Sequence, residues 1–250
     1  MPRYFIEVAY LGTNYSGFQI QDNANSIQQE VEKAVTTYYR EKIALTGSSR
    51  TDAGVHALSN YFHFDCQRAI SSLNVYNINA LLPSDIVLKR IILVTDKAHC
   101  RFDAISREYK YCITSTKNPF LIDTAWHYPY NIDIEILNQA AEIVLKYENF
   151  ESFSKKNTQV NNFLCKIHKS IWYIDNQAQS LVYIVKANRF LRGMVKGLVS
   201  TMLRVGRNKI TLQQFEEIIQ SQNSIHSDFS APSKGLFLCK VEMNDMLFNN

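Results

Sequence analysis

At 250 residues the chain is long enough for one large or two modest domains, each able to bury its own core. Hydrophobic residues make up 46% and charged residues 20%, which excludes global disorder, and the longest apolar runs, such as residues 91–94, are too short to span a bilayer. The 27 Lys and Arg against 23 Asp and Glu give a net charge of +4, which permits nucleic-acid binding without demanding it.

An acid, Glu7, falls where a signal peptide would carry its apolar region. Cys66, Cys100, Cys112, Cys165 and Cys239 form no Cys-x-x-Cys pair, which argues against a disulfide framework or zinc ribbon. The expectation is a soluble, cytoplasmic protein with reduced cysteines serving as small apolar fillers.

Tyr4, Ile6, Val8 and Tyr10 alternate with other residues and predict a strand. Ser26 then opens a helix, with Gln29 as its capping-box partner and Ile27, Val31, Ala34 and Tyr38 along one face. Residues 42–47 and 60–65 read as strands, the second with Phe62 and Phe64 on one side. Residues 71–82 read as a helix stopped by Pro83, and residues 86–95 as a buried strand. The order βαββαβ is that of a ferredoxin-like split unit.

The second half repeats that order with longer loops. Residues 107–114 predict a strand with Tyr109, Tyr111 and Ile113 on one face, and residues 134–147 a helix. Strands at 166–174 and 180–187 flank a turn at Asp175-Asn176. A helix over 190–205 precedes one over 212–219, capped by Thr211 with Gln214, and residues 236–241 close with a strand. No linker separates the halves, so a continuous sheet or a tight pair, split near residue 104, is expected. The polar stretch 148–162 is the least structured by composition and is expected to be mobile.

Four clusters could carry chemistry. The densest is Gly47-Ser48-Ser49-Arg50-Thr51-Asp52-Ala53-Gly54-Val55-His56-Ala57, a loop whose small residues let the backbone bend and approach another molecule. Arg50 and Asp52 are two apart and would point to one side of an extended chain. A carboxylate beside a cation is poised as nucleophile or base. Local chemistry alone favours the plainer reading, in which Asp52 forms a turn and Arg50 is a surface charge. Asp52 with His56 could be half a metal site, but no further ligand stands at suitable spacing.

The second cluster, Leu11-Gly12-Thr13-Asn14-Tyr15-Ser16-Gly17-Phe18-Gln19, lacks the Lys of a phosphate-binding loop and the spacing of a dinucleotide loop. The third is Arg107-Glu108-Tyr109-Lys110-Tyr111, whose tyrosines could stack on a base or simply pack the core. In the fourth, Arg189, Arg192 and Lys196 fall at i, i+3 and i+7 of the expected helix. They form a basic stripe suited to phosphates or merely to solvent.

Taken in order, these clusters resemble the tRNA pseudouridine synthase A (TruA) family. Arg50-Thr51-Asp52-Ala53-Gly54-Val55-His56-Ala57 is similar to its catalytic signature, and Gly12-Thr13-Asn14-Tyr15-Ser16-Gly17-Phe18-Gln19 to its first motif, with Phe18 where Trp is more usual. Ala80-Leu81-Leu82-Pro83, Arg101-Phe102-Asp103-Ala104 and the closing Ala231-Pro232-Ser233-Lys234-Gly235-Leu236 also fit. The likeness covers almost the whole chain.

The resemblance implies an α+β fold of two ferredoxin-like halves, 1–104 and 105–250. These would form a continuous, mostly antiparallel sheet with helices on one face and a central RNA-binding cleft. It implies that Asp52 is the catalytic carboxylate, that Arg50 extrudes the target nucleotide, and that Tyr109 contacts the flipped uracil. Lys196 stands where the family usually has an Arg paired with that carboxylate; it keeps the charge but not the bidentate fork. Arg189, Arg192, Gly54 and His56 are the further expected substrate-binding residues. The expected substrate is the anticodon stem-loop of tRNA at uridines 38, 39 and 40, handled by a homodimer without metal or small-molecule cofactor. The rivals are a synthase with another RNA target, a non-catalytic RNA-binding relative, and a hydrolase built on Asp52 and His56.

Overall fold

The computed structural model describes every residue except 69, 72, 156–159, 161, 249 and 250. The chain forms two compact units, Met1–Ile105 with Phe237–Asn250, and Ser106–Leu236. Each is a mixed α+β unit whose sheet is mostly antiparallel, the class that the element order predicts.

In the first unit β1 (Arg3–Tyr10) lies between β3 (His56–Asp65) and β4 (Ile86–Val94), antiparallel to both, with Ile6 opposite Phe62 and Ile91. Alternation puts Tyr4, Ile6, Val8 and Tyr10 on one face, and all four are buried. Helix α1 (Ile27–Tyr39) starts at Ser26, whose hydroxyl accepts from the Gln29 N–H, and it buries Ile27, Val31, Ala34 and Val35. Each large side chain removed from water this way contributes about 1.5–3 kcal/mol.

Strand β2 (Thr46–Gly47) is shorter than the six residues expected. Ile43 N–H donates to Thr36 Oγ1 and Leu45 N–H to Glu32 Oε2. Side chains of α1 therefore satisfy backbone that a ladder would otherwise pair. Helix α2 (Leu73–Asn79) is also shorter, and residues 80–82 continue as turns; residue 72, within the expected helix, lies outside the described residues.

From Phe237 onward, β9 (Leu236–Met243) belongs to this first unit and runs parallel to β3, pairing His56 with Phe237 and Ala57 with Leu238. The opposite sheet face carries Glu7, a buried carboxylate bridged by Lys89 and Arg90. Burial raises its pKa, but hydrogen bonds from Ser59, Lys89 and Arg90 outweigh that and hold it below the ordinary value.

In the second unit β8 (Ser180–Ala187) lies between β5 (Ala104–Thr114) and β7 (Ile167–Asp175), antiparallel to both. A short β6 (Trp126–His127), not foreseen from the sequence, runs parallel to the end of β5. Helix α3 (Ile134–Val144) is capped by Asp133, and α5 (Leu212–Gln220) by the expected Thr211–Gln214 capping box.

Two expectations are corrected here. Helix α4 (Met194–Gly206) begins four residues later than predicted, because Gly193 at its N-cap takes φ +78°, a left-handed conformation that breaks the helical run. Arg189 and Arg192 therefore precede the helix, and no single helical stripe joins them to Lys196. The polar stretch from 148 is anchored at its start. Phe150, Ser152 and Phe153 are fully buried, and Ser152 Oγ donates to the Ile218 carbonyl at 2.6 Å. Residues 156–159 and 161 of that stretch lie outside the described residues. Among the described residues, no helix is long and apolar enough to cross a membrane.

Candidate active site

The Asp52 segment is a turn closed by the Val55 N–H donating to the Asp52 carbonyl at 3.2 Å. Gly54 occupies the position where such a turn needs positive φ, and its value is +74°. Thr51 turns inward, its Oγ1 2.8 Å from the Tyr10 hydroxyl, while Arg50 is exposed and Asp52 half-buried. The backbone of Asp52 thus does form a turn, with the half-buried Asp52 at its corner.

Buried polar groups brace this turn from below. Asn60 Nδ2 donates to the Ser49 carbonyl at 2.8 Å and to the Tyr10 hydroxyl at 3.2 Å, and its Oδ1 accepts from the Ser49 N–H. Burial pushes the Tyr10 hydroxyl pKa up to about 12, so it stays protonated within this network. Ser48 Oγ donates to the Cys100 carbonyl at 2.7 Å.

The Gly12–Phe18 motif packs directly against this turn. Phe18 N–H donates to the Thr51 carbonyl and Gly54 N–H to the Tyr15 carbonyl. A Cβ on Gly12 would collide with the Val55 carbonyl oxygen, and one on Gly17, at φ +117°, would lie 3.0 Å from the Thr51 carbonyl oxygen. Both glycines are needed for the two loops to touch. The motif is itself held by Asp85, which accepts from the Tyr15 hydroxyl at 2.6 Å and from Asn14 Nδ2 at 3.1 Å. Nothing local to the motif could reveal that partner, 70 residues downstream.

His56 is 0% exposed. Its Nδ1 accepts from the Gly12 N–H at 3.0 Å, so its proton resides on Nε2, and its ring packs 4.5 Å from that of Phe237. Phe18 is also in the core, stacked at 4.5 Å on Phe62. Phe at this position is therefore a packing residue.

The second unit holds the remaining candidates. Tyr109, 9% exposed, packs edge-on against Phe190 at 5.0 Å. Tyr111, on the same strand face, is fully buried and donates to the Pro232 carbonyl at 2.7 Å. Lys196 is half-buried on α4 with Nζ 3.3 Å from Ser233 Oγ. Ser200 Oγ donates to the Lys196 carbonyl and accepts from the Ala231 N–H. The closing Ala231–Leu236 motif is thus pinned both to α4 and to the tyrosine strand. Gly235 is required there, since a Cβ would lie 2.8 Å from the Tyr111 ring. Arg192 is exposed on the turn before α4, and half-buried Arg189 donates to Asn162 Oδ1 at 3.2 Å. Among the described residues, no three His, Cys, Asp or Glu side chains converge to hold a metal ion.

A sequence model of the tRNA pseudouridine synthase family matches residues 6–103 and 147–244. The chain is 41% identical over 251 residues to tRNA pseudouridine synthase A of Porphyromonas gingivalis, covering 99% of this chain and 100% of that one. It is 40% identical to the protein of the same name from Bacteroides thetaiotaomicron, covering 100% and 93%. Against that of Staphylococcus aureus it is 32% identical over 246 residues, covering 97% and 91%.

These matches, with the α+β units and the motifs just described, define an isomerase that acts on uridine in tRNA. The chain belongs to the tRNA pseudouridine synthase family.

Proposed function

We propose that this synthase converts uridines 38, 39 and 40 of the tRNA anticodon stem-loop, with Asp52 as its catalytic carboxylate. The observation that supports this most is the setting of Asp52. Asp52 is half-buried at the corner of a turn that Thr51, Asn60, His56 and two glycine-dependent backbone contacts hold fixed. A solvated surface turn needs no such bracing, whereas a reacting group does.

In the reaction the N1–C1′ bond breaks, the base turns, and a C5–C1′ bond forms. C5 loses a proton and N1 gains one, so the product is an isomer. Asp52 attacks the base or the sugar, or removes a sugar proton. The uridine must first leave its stack, which costs a few kcal/mol. Arg50, exposed two residues before Asp52, displaces it and fills its place. Tyr109 contacts the extruded uracil, and Lys196 supplies the positive charge of the Arg more usual in the family at that position. Arg189 and Arg192 bind phosphates. Gly54 lets the backbone approach the RNA, and His56 acts by fixing Gly12. A homodimer, working in the cytoplasm, would pool the modest +4 charge of each chain.

A synthase with other target positions is the second reading. The burial of Phe18 removes one motive for it, because that departure from the usual Trp lies in the core. Mapping pseudouridine in unmodified total tRNA, before and after treatment with the purified protein, tests the proposal. New pseudouridine confined to positions 38–40 is expected; conversion elsewhere, or none, overturns it.

A further inference from the structure

The turn His99–Asp103 presents two side chains that the mechanism above does not use. It is closed by the Asp103 N–H donating to the His99 carbonyl at 3.0 Å, and by the His99 N–H donating to Asp103 Oδ2 at 2.7 Å. At its apex Arg101 is exposed, and Phe102 is 75% exposed although it is a large aromatic ring.

The turn is rigid from within. The Phe102 ring lies 4.2 Å from that of His99, which in turn meets buried His63 at 4.6 Å. The Arg101 guanidinium sits 5.9 Å from the Phe102 ring centre. The turn is also tied to the Asp52 loop of the same unit, through Ser48 Oγ and the Cys100 carbonyl at 2.7 Å. Ser48 is four residues from Asp52 and Cys100 two from Phe102. Chain reach therefore limits the separation of the Asp52 and Phe102 backbones to on the order of 30 Å.

We propose that Phe102 is a stacking platform for an unpaired base of the tRNA, next to the arm that carries the target uridine, with Arg101 meeting the adjacent phosphate. An aromatic face held rigid and bare beside a cation fits a base and its phosphate, because every base has a π-face and the RNA backbone is anionic. A pure apolar packing site would have no use for Arg101. The inference rests on the RNA-modifying reading but not on the role of Asp52.

The test measures equilibrium binding of unmodified tRNA to the full chain and to Phe102→Ala, Phe102→Trp and Phe102→Leu. All are made in an Asp52→Asn background so that turnover does not intrude. Phe102→Ala and Phe102→Leu are expected to bind about tenfold more weakly or worse, and Phe102→Trp to bind as well as the parent. The ring is exposed, so the melting temperature should not move. Equal affinity for Phe102→Ala and parent overturns the proposal, as does a Leu variant as good as the Trp variant. A shift in oligomeric state at unchanged RNA affinity also overturns it, by assigning the ring to a protein interface. A parent chain that binds no tRNA would instead contradict the RNA-modifying reading itself.

Discussion

The Gly12 N–H donates to Nδ1 of His56 across 3.0 Å, joining residues 44 positions apart at the point where two loops meet. The site is closed to solvent and leaves no space for a Cβ at Gly12. His56→Phe would keep an aromatic ring against Phe237 but leave the Gly12 N–H buried without a partner. The expected loss is about 1–3 kcal/mol of unfolding free energy, read from urea denaturation, with a fall in turnover as the Asp52 loop loosens. A variant as stable and as active as the parent would show that the bond positions nothing.

Lys196 reaches from α4 to the closing motif, with Nζ at hydrogen-bond distance from Ser233 Oγ. If its task is to supply charge, Lys196→Arg retains turnover within roughly tenfold, whereas Lys196→Met loses far more. Steady-state kinetics on tRNA distinguish the two. A folded but inactive Arg variant would mean that the site is shaped around an ammonium.

Arg192 is exposed on a turn rather than on the helix. A phosphate contact there makes Arg192→Ala bind tRNA more weakly, and the dependence of log affinity on log salt becomes shallower by about one. An unchanged slope in a salt titration would mean that Arg192 does not touch the RNA backbone.

Burial, reinforced by His99 and Arg3, pushes the pKa of His63 down to about 4 from its ordinary 6.5. In the unfolded chain His63 takes up its proton as pH falls below 6.5; in the folded chain it does so only near pH 4. The unfolded state therefore binds more protons between those values. His63 thus costs stability as pH falls through that window, by at most about 1.4 kcal/mol per pH unit, and nothing above it. Melting temperatures of parent and His63→Gln should diverge in slope between pH 6.5 and 4, the variant being flatter. Parallel slopes would contradict this assignment.

Local signals made much of the fold legible. Residues 180–187 form the expected strand residue for residue, and Thr211 with Gln214 makes the expected box, because period and caps act over a few residues. Elements decided at a distance were not legible. The backbone of Ile43 and Leu45 is satisfied by α1 side chains, and β9 joins β3 in parallel across some 180 residues of sequence. The start of α4 turned on one glycine's left-handed φ, which an apolar periodicity running through it concealed. At the site, the Arg50–His56 run stood out by composition. Its supports did not, since Asn60 and Cys100 reach the loop at Ser49 and Ser48, and Asp85 reaches the neighbouring Gly12–Phe18 motif, only through folding.

The central claim concerns the Asp52 carboxylate, and single-turnover formation of pseudouridine by Asp52→Asn is its most direct measurement. The substitution keeps size and the turn-forming backbone while removing the charge. Turnover should disappear while tRNA affinity and melting temperature stay at the parent's values. Pseudouridine appearing at the parent's rate would contradict the account.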